Sequence, residues 1–362
     1  MQTHIFTSES IYSKAFLQRL GDNLDLSDQI IVFRKQNVQF QFLPKRDSPK
    51  IIYATTFISF IFKVLPNLLQ SKWIYIHYLP YGPSLLFWFL FRRLLKKTSW
   101  IVWGGDVFVY KEADKSLKNR FLEYLRKKII PSFPEICSFI KDDALEAMKI
   151  YGSQAVYTPI LYPIPLNITD LKTTQQVDEF PNHIKILVGN SADPSNFHLD
   201  TLEMISKFKH QPIKIYCPLS YYYDKVYIKT VIENGHLHFG ENFIPILNMM
   251  SSQEYISLLK CVDVGIMNHN RQQALGNILP LLYLGKKVYL RKDVSTFNFL
   301  TSLGCIVYDI SEIFPSKFEE FIEIKSEFQQ SNFEKIKALT SDEYFINLWS
   351  NLIFSHKDDK CN

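Results

Sequence analysis

The chain has 362 residues, a formal net charge of +5 at pH 7, and hydrophobic and charged contents of 47% and 21%. This balance excludes a disordered chain, and the length allows two domains, each with its own core. The small net charge gives no indication of nucleic-acid binding, and the five dispersed cysteines form no Cys-x-x-Cys pair, which is typical of reduced core residues in a cytosolic protein.

The first half of the chain alternates short apolar runs with stretches of helical periodicity. No signal peptide is expected, because the first residues lead directly into a strand. The predicted strands are residues 4–7, 29–33, 73–77, 100–103, 135–140 and 155–158. The predicted helices are residues 12–20, 55–70, 83–97, 115–130 and 142–151. This alternation predicts a parallel sheet covered by helices on both faces.

The most hydrophobic stretch of the first half runs from Leu85 to Lys97. Arg92 and Arg93 interrupt it far short of the ~20 apolar residues that a bilayer span needs. A leucine-rich, aromatic helix that ends in a basic cluster suits the surface of an anionic membrane. The alternative is a buried crossover helix whose final cations favour the helix dipole. Both interpretations hold if one side of the helix packs and the basic end is exposed.

Two polar residues of the first half follow predicted strands at the carboxyl edge of the sheet. Asp106 comes after the strand 100–103 and two glycines, so it is a candidate general base for an acceptor hydroxyl. Its alternative role is to cap the segment that follows. His77 ends the preceding strand and is the alternative base, although a lone histidine is more often structural.

Prolines 159, 163 and 165 and the polar run 173–176 predict a linker, after which the alternation resumes. The predicted strands are residues 184–188, 213–217, 237–239, 262–267, 287–290 and 306–308. The predicted helices are residues 199–207, 224–234, 252–259 and 296–303, together with a helix that follows Arg271 and is capped by Gly285, and a helical tail over 311–354. We therefore predict an α/β protein with two doubly wound, Rossmann-like domains facing each other across a cleft, over residues 1–165 and 180–340, and a C-terminal helix and tail over 341–362.

Three loops of the second half are unusually polar, and each leaves the carboxyl end of a predicted strand. Gly189 permits a tight turn at the start of the first loop, whose candidate ligand residues are Asn190, Ser191, Asn196 and His198. The second loop offers a shelf for a planar base, with the candidates Tyr216, Ser220 and Tyr221. The candidates in the third loop are Asn270, Arg271, Gln272, Gln273, Gly276 and Asn277. Because the carboxyl ends of parallel strands share one edge, the loops are expected to converge on a nucleoside-diphosphate site.

Arg271 is the central residue of this prediction. It precedes a helix whose C-cap is Gly285, and its guanidinium and the first-turn N–H groups suit a diphosphate. The alternative is an ordinary capped helix with a solvated arginine. The chain has no Gly-x-Gly-x-x-Gly, no phosphate loop and no Asp-x-Asp element, which argues against dinucleotides, ATP and a chelated metal. His236 and His238 share a face of the predicted strand 237–239 but have no further ligand at metal-binding spacing.

These residues resemble the bacterial 4-acetamido-4,6-dideoxygalactose transferases, glycosyltransferase family 56. The resemblance rests on three motifs, which are Asn190-Ser191-x-Asp193-x-Ser195-Asn196-x-His198, Arg271-Gln272-Gln273-x-x-Gly276 and Trp103-Gly104-x-Asp106. It implies a GT-B fold, a dTDP- or UDP-sugar donor in the domain 180–340 and a polyprenyl-diphosphate-linked acceptor in the domain 1–165. It also implies work at the cytoplasmic face of the cell membrane, in agreement with the stretch from Leu85 to Lys97.

The function predicted from sequence is therefore a bacterial hexosyltransferase that uses no metal or other cofactor. Its partners are a nucleotide sugar, a lipid-linked glycan of surface polysaccharide synthesis and the membrane surface, but no nucleic acid. Arg271 holds the leaving diphosphate and Asp106, or else His77, accepts the proton of the acceptor. Two alternatives stay open, a sugar-nucleotide epimerase or hydrolase of the same fold, and a non-catalytic scaffold of a polysaccharide assembly complex.

Overall fold

The computed structural model describes residues 1–43, 49–112, 116–163, 170–173, 175–220 and 224–357. The chain divides into two compact units. Residues 1–165 together with the residues from Ser341 onward form unit 1, and residues 166–340 form unit 2. Each unit is built on one parallel sheet.

Unit 1 contains a seven-stranded sheet in the order β3-β2-β1-β4-β5-β6-β7. Its strands are β1 Gln2–Phe6, β2 Gln29–Phe33, β3 Lys50–Tyr53, β4 Trp73–His77, β5 Thr98–Ile101, β6 Glu135–Ser138 and β7 Val156–Pro159. Its first helices are α1 Ile11–Asn23, α2 Phe57–Lys63, α3 Leu65–Gln70, α4 Ser84–Leu90, α5 Gly105–Glu112, α6 Leu117–Ile129 and α7 Lys141–Tyr151. The C-terminal helix Asp342–Ser355 also belongs to this unit.

Helices cover both faces of this sheet. Helices α2, α3, α4, α6 and α7 bury their apolar sides in one core, which contains Phe60, Leu85 and Leu122. Helix α1 and the C-terminal helix bury theirs in the core on the other face, where Phe16 packs against Trp349. The sheet is therefore doubly wound, as the sequence predicts, and its strand order reverses between β1 and β4.

Two predicted helices of unit 1 are interrupted. The helix expected over 55–70 is two helices, because Pro66 in the first turn of α3 has no N–H to donate to the preceding turn. The helix expected over 83–97 is α4 followed by a 3₁₀ turn over Arg92–Lys97. In α4, Leu85 and Trp88 are buried whereas Leu86 and Leu90 are exposed, so one side packs and the other faces solvent. Strand β3 and helix α5 were not predicted.

Unit 2 contains a six-stranded sheet in the order β10-β9-β8-β11-β12-β13. Its strands are β8 Ile184–Val188, β9 Ile213–Pro218, β10 Phe243–Ile246, β11 Val264–Met267, β12 Lys287–Leu290 and β13 Tyr308–Asp309. Its helices are α8 Asp170–Thr173, α9 His198–Ile205, α10 Lys225–Phe239, α11 Ser252–Cys261, α12 Leu275–Tyr283, α13 Ser295–Ser302, α14 Phe318–Ile322 and α15 Ser326–Leu339. The C-terminal helix of unit 1 is α16.

The strand predicted over 237–239 is wrong, since these residues form the last turn of α10 and the strand is β10. Gly235 explains the difference. A Cβ at this position would stand 2.5 Å from the ring of Phe243, so glycine lets the helix lie directly on the next strand. His236 and His238 are therefore helical residues.

No described helix of the chain has the length and apolar character needed to cross a bilayer.

Candidate functional site

A dense group of polar side chains in unit 2 lies at the carboxyl ends of β8 and β11, the neighbouring strands between which the strand order reverses. Open α/β sheets bind ligands at such points. The loops here contain two non-glycine residues in the left-handed region, Phe197 at φ 51° and Ala274 at φ 64°. This conformation costs about 1–2 kcal/mol for each residue. Strained backbone of this kind is concentrated at binding sites, so both loops are candidates for ligand contact.

Asn196 is the hydrogen-bonding centre of the loop after β8. It is fully buried, and its Oδ1 accepts hydrogen bonds from the backbone N–H of Asn190 at 2.9 Å and from Nε2 of His269 at 2.8 Å. Its Nδ2 donates to the carbonyl of Asp193 at 2.9 Å and to Ser191 Oγ at 3.3 Å. One amide side chain thus ties the β8 loop to the β11 loop.

Gly189 is required beside this amide. Its φ is 68°, and a Cβ there would lie 2.6 Å from His198 Nε2 and 2.7 Å from Asn196 Oδ1. His198 is itself buried, with Nδ1 at 3.1 Å from the hydroxyl of Tyr227 and with no described partner for Nε2. Burial lowers the pKa of His198 to about 4, so this imidazole is neutral at pH 7.

His269 is a second buried, neutral histidine. Its Nε2 lies 2.8 Å from Asn196 Oδ1 and 3.0 Å from Asn190 Oδ1, so the ε nitrogen carries the proton and donates to two amide oxygens. Burial lowers the pKa of His269 to about 3, with smaller contributions from His198 and Arg271. The imidazole therefore acts as a fixed donor that orients the two asparagines.

Arg271 and Gln273 join the β11 loop to the same group. Arg271 Nη2 lies 3.2 Å from Oδ2 of Asp193. Gln273 Oε1 accepts a hydrogen bond from Ser195 Oγ at 3.1 Å, and its Nε2 lies 3.4 Å from Oδ1 of Asn190. The β8 and β11 loops therefore meet, as the sequence predicts, and Arg271 forms an ion pair with Asp193 of the β8 loop.

The N-terminus of α12 opens beside Arg271. No described side chain caps this helix, which begins after the left-handed Ala274. A Cβ at Gly276 would meet nothing within 4 Å, so the first turn is open on that side. Asn277 is buried, and its Nδ2 has no described partner. First-turn N–H groups of an uncapped helix and an amide donor without a described partner are groups that can bind an anion.

Arg291 completes the group and was not predicted. It follows β12 and is held by Asp293, with N···O distances of 2.9 and 2.7 Å, while its guanidinium lies 5.5 Å from the ring of Phe197. A small pocket connects it to Arg271; the lining includes Met267, His269, Arg271, Gln273, Leu290, Arg291 and Thr296. The only sequence signal was its position directly after the predicted strand 287–290, at the same edge of the sheet as the loop that contains Arg271.

For the expected base shelf, the structure describes no hydrogen bond from the side chains of Tyr216 or Ser220 to this group. Tyr216 is partly buried, and its pKa is raised to about 12 by burial and by nearby Glu179, which belongs to neither polar loop. Ser220 is partly buried and has no described side-chain contact, and Tyr221 lies outside the described residues. Asn270 is exposed; its backbone N–H donates to the carbonyl of Ser195 at 3.2 Å. Gln272 is partly buried in the same loop.

Asp106 lies in the first turn of α5 in unit 1, with 1% of its surface exposed. Its carboxylate accepts hydrogen bonds from the backbone N–H groups of Leu79 and Trp103, both at 2.9 Å, and from Trp100 Nε1 at 2.8 Å. Burial raises the pKa of Asp106, and these hydrogen bonds oppose the rise. All three donors precede α5, so the carboxylate holds the loops after β4 and β5 together and does not cap the helix that follows.

His77 is also buried. Its Nε2 lies 2.8 Å from Nδ1 of His4, and its Nδ1 contacts the hydroxyl of Tyr162. Burial lowers the pKa of His77 well below its usual range, and the neighbouring His4 lowers it further. The adjacent Tyr78 has φ 72°, another strained position after a strand. His77 thus belongs to a neutral, buried chain of rings.

Arg34 is a cation at the same edge of unit 1 that sequence reasoning missed. It follows β2, its guanidinium lies 4.6 Å from the ring of Phe60, and its buried Nε has no described partner. Burial lowers the pKa of Arg34, and no described carboxylate forms an ion pair with it. A half-buried cation without a counter-charge is a candidate anion ligand.

No cluster of three His, Cys, Asp or Glu side chains that would hold a metal occurs among the residues described.

Residues 70–309 match the sequence model of a family described as 4-alpha-L-fucosyltransferase, glycosyl transferase group 56. This match covers about two thirds of the chain and agrees with the resemblance found from the motifs.

Three solved structures share the fold. The chain is similar to Anabaena HepE in complex with UDP and glucose, with a TM-score of 0.69, 10% identity, and 98% of this chain and 99% of that chain covered. It is similar to a glycosyltransferase from Rickettsia africae, with a TM-score of 0.68, 11% identity, and 99% of each chain covered. For WaaG, a glycosyltransferase involved in lipopolysaccharide biosynthesis, the TM-score is 0.60 at 10% identity, over 99% of this chain and 100% of that chain. At such low identity the structural similarity shows the fold alone, and it confirms the predicted GT-B class.

Proposed function

The chain belongs to glycosyltransferase group 56, described as 4-alpha-L-fucosyltransferase, and we propose its donor, its acceptor and the place where it acts. The donor is a deoxy-amino or fucose-like sugar on dTDP or UDP, with GDP the less favoured base. The acceptor is a polyprenyl-diphosphate-linked oligosaccharide of bacterial surface polysaccharide synthesis. The reaction takes place at the cytoplasmic face of the cell membrane.

The polar group of unit 2 carries this proposal. Two guanidinium groups, Arg271 and Arg291, border one pocket beside the uncapped start of α12. The leaving nucleoside diphosphate gains negative charge as the bond between the sugar and the phosphate of the donor breaks, and preorganised cations and N–H groups lower the free energy of that state. We propose that these groups balance the charge in place of a metal ion, so that chelators leave the activity unchanged.

The neutral side chains around the pocket supply orientation. Asn190, Asn196 and His269 form one hydrogen-bonded set with fixed directions, because the protonated nitrogen of His269 points at both amide oxygens. Groups held in this way lose little conformational entropy on binding. We propose that Asn190, together with Ser191 and His198, contacts the phosphates and the sugar of the donor.

Unit 1 is proposed to bind the acceptor. Arg34 is suited to the diphosphate of the carrier, because its guanidinium is half-buried and lacks a described counter-charge. Asp106 is proposed first as the residue that positions the loops after β4 and β5; it becomes a base only if acceptor binding displaces one of its three donors. The basic, aromatic stretch from Leu85 to Lys97 is proposed to lie near the membrane surface.

Calorimetry and thermal-shift measurements with dTDP-, UDP- and GDP-linked sugars test the donor, since a ligand that binds the native state raises the melting temperature. Transfer is then measured with a polyprenyl-diphosphate-linked acceptor. We expect a dTDP- or UDP-sugar to bind and to be consumed only when acceptor is present. Consumption without acceptor would establish a hydrolase or epimerase instead, and the absence of any donor binding would leave a scaffold.

A further inference from the structure

Four helices on one face of unit 1 form a connected outer layer, which we define as the solvent-facing sides of α2, α3, α4 and α6. All four bury their inner sides in the same core. The ring of Phe60 in α2 meets Phe87 in α4 edge-on at 4.8 Å, and the hydroxyl of Tyr81 before α4 donates to the carbonyl of Asn119 in α6 at 2.7 Å. The outward sides of these helices therefore belong to one surface.

Helix α6 has an unusual outward side. Leu117, Phe121 and Tyr124 are one turn apart on it, and all three are exposed, Leu117 to 81%. The exposed cations between and beside them are Lys118, Arg120, Lys127 and Lys128. Glu123 is the only acid of this helix, and it is half-buried, 3.7 Å from the fully buried Arg126. Among the described residues the exposed side of α6 is thus apolar and basic.

The neighbouring helices have the same character. Ile58 and Phe62 in α2, and Leu86 and Leu90 in α4, are exposed pairs one turn apart, with Phe62 exposed to 77%. A folded protein normally covers large side chains of this kind unless they bind something. Rows of leucine and phenylalanine with flanking lysine and arginine are typical of helices that lie in the interface of a bilayer.

The charge of this segment points to an anionic partner. Residues 48–105 contain no aspartate or glutamate before Asp106, although the whole chain has 36 acidic residues. The segment includes the exposed cations Arg92, Arg93 and Lys96 of the 3₁₀ turn after α4. An apolar surface surrounded by unbalanced cations fits anionic lipid headgroups, which attract each lysine or arginine near the surface.

We infer that the outer layer of unit 1 docks on an anionic lipid bilayer and that α6, outside the stretch from Leu85 to Lys97, is a main contact. Leu117, Phe121 and Tyr124 enter the headgroup region while the cations beside them contact lipid phosphates. This inference rests on the proposed function only in that a polyprenyl-linked acceptor requires work at a membrane. The preference for anionic lipids is argued from the exposed cations of the outer layer.

Co-sedimentation of the full chain with vesicles tests the inference. The vesicles contain phosphatidylcholine alone or phosphatidylcholine with phosphatidylglycerol. Wild type is expected to bind the anionic vesicles, and the quadruple variant Lys118→Gln/Arg120→Gln/Lys127→Gln/Lys128→Gln to bind them at least about tenfold more weakly. The double variant Leu117→Ser/Phe121→Ser is expected to lose binding to a similar extent, because apolar insertion contributes independently of charge. Wild-type binding that is absent, or unchanged in both variants, would overturn the inference.

The matched control is Val226→Ser/Leu237→Ser, which removes two exposed apolar side chains from α10 of unit 2. It is expected to bind vesicles like wild type, and equal losses in the control and the α6 variants would reject a specific surface. Thermal melts check that all variants are folded. Transfer to a short, detergent-soluble acceptor is expected to be unchanged in the α6 variants. Vesicle binding without transfer from any donor would reject the proposed function alone, and transfer without vesicle binding would reject the docking surface alone.

Discussion

Arg271 Nη2 lies 3.2 Å from Oδ2 of Asp193, so the arginine of the β11 loop is held in place by a carboxylate of the β8 loop. The pair is partly exposed, so its own contribution to stability is small. Its effect is to fix the direction of the guanidinium beside the start of α12. A donor diphosphate would compete with Asp193 for the same NH groups.

We expect Arg271→Ala to lower kcat/KM by about 10²–10³-fold, the usual effect of removing one group that stabilises developing negative charge. Asp193→Asn keeps an oxygen that can accept from the Ser195 N–H but removes the competing charge, so nucleotide affinity is expected to rise. The control is Arg19→Ala, which breaks an Arg–Asp pair with Asp342 in unit 1. Steady-state kinetics and calorimetry measure both effects. Near-normal turnover of Arg271→Ala would remove this residue from the mechanism.

Gly189→Ala is expected to destabilise the chain and to abolish donor binding. The new Cβ would be strained by the φ of 68° and would overlap His198 and Asn196, at a combined cost of about 2–4 kcal/mol. Gly152→Ala isolates the backbone part, because Gly152 has φ 65° but open space around its Cβ position. Denaturant unfolding should show the larger loss for Gly189→Ala. Equal losses would mean that the close contacts do not matter.

Buried neutral histidines predict a loss of stability in mild acid. Burial lowers the pKa of His269 to about 3 and that of His198 to about 4, below the 6.5 of an unfolded chain. The unfolded chain therefore binds these protons first, and the stabilisation present above pH 6.5 is lost progressively as the pH falls from 6.5 to about 4 for His198 and to about 3 for His269. In thermal melts, His269→Gln keeps a donor near the ε position and should weaken this pH dependence. His210→Gln, at an exposed site, should leave it unchanged.

Asp106→Asn distinguishes a positioning residue from a base. The amide cannot accept from Leu79, Trp100 and Trp103 together, so stability should fall by about 1–3 kcal/mol for a lost buried hydrogen bond. Burial raises the pKa of Asp106, so the folded chain holds this proton more tightly, and wild-type stability should decrease as the pH rises above the unfolded value. The substitution removes that trend. If Asp106 is a positioning residue, Asp106→Asn should leave the shape of the pH–rate profile unchanged. If the substitution removes one limb of that profile, Asp106 is the base.

Arg34→Gln should raise KM for the lipid-linked acceptor by about tenfold or more, the effect of one lost hydrogen bond to a charged group. Donor affinity should be unchanged, because donor contacts are proposed for unit 2. Arg34→Lys keeps the charge and is expected to recover part of the loss. Arg19→Gln is the matched arginine control. Unchanged acceptor kinetics in Arg34→Gln would exclude this residue from the acceptor site.

The architecture could be predicted from local sequence patterns alone. Periodicity separates buried strands from amphipathic helices locally, so Gln29–Phe33, Trp73–His77, Ile184–Val188 and Lys287–Leu290 were predicted with the bounds that the structure gives. The position of polar loops after strands identified the β8 and β11 loops, because topology alone brings the carboxyl ends of parallel strands together. The strand predicted over 237–239 was wrong, because the close contact of Gly235 with Phe243 lets the helix continue through these residues, and a local pattern does not show such a contact.

The directions of the side chains at the carboxyl edge of each sheet depend on tertiary packing and could not be predicted. Asp106 faces inward because donors from Leu79 and Trp100, on other parts of the chain, surround its carboxylate. Arg271 meets Asp193 across 78 positions of sequence, and Arg291 reaches the same pocket from a third loop. Hydrogen bonds and ion pairs of this range depend on how whole elements pack, and no local periodicity encodes them.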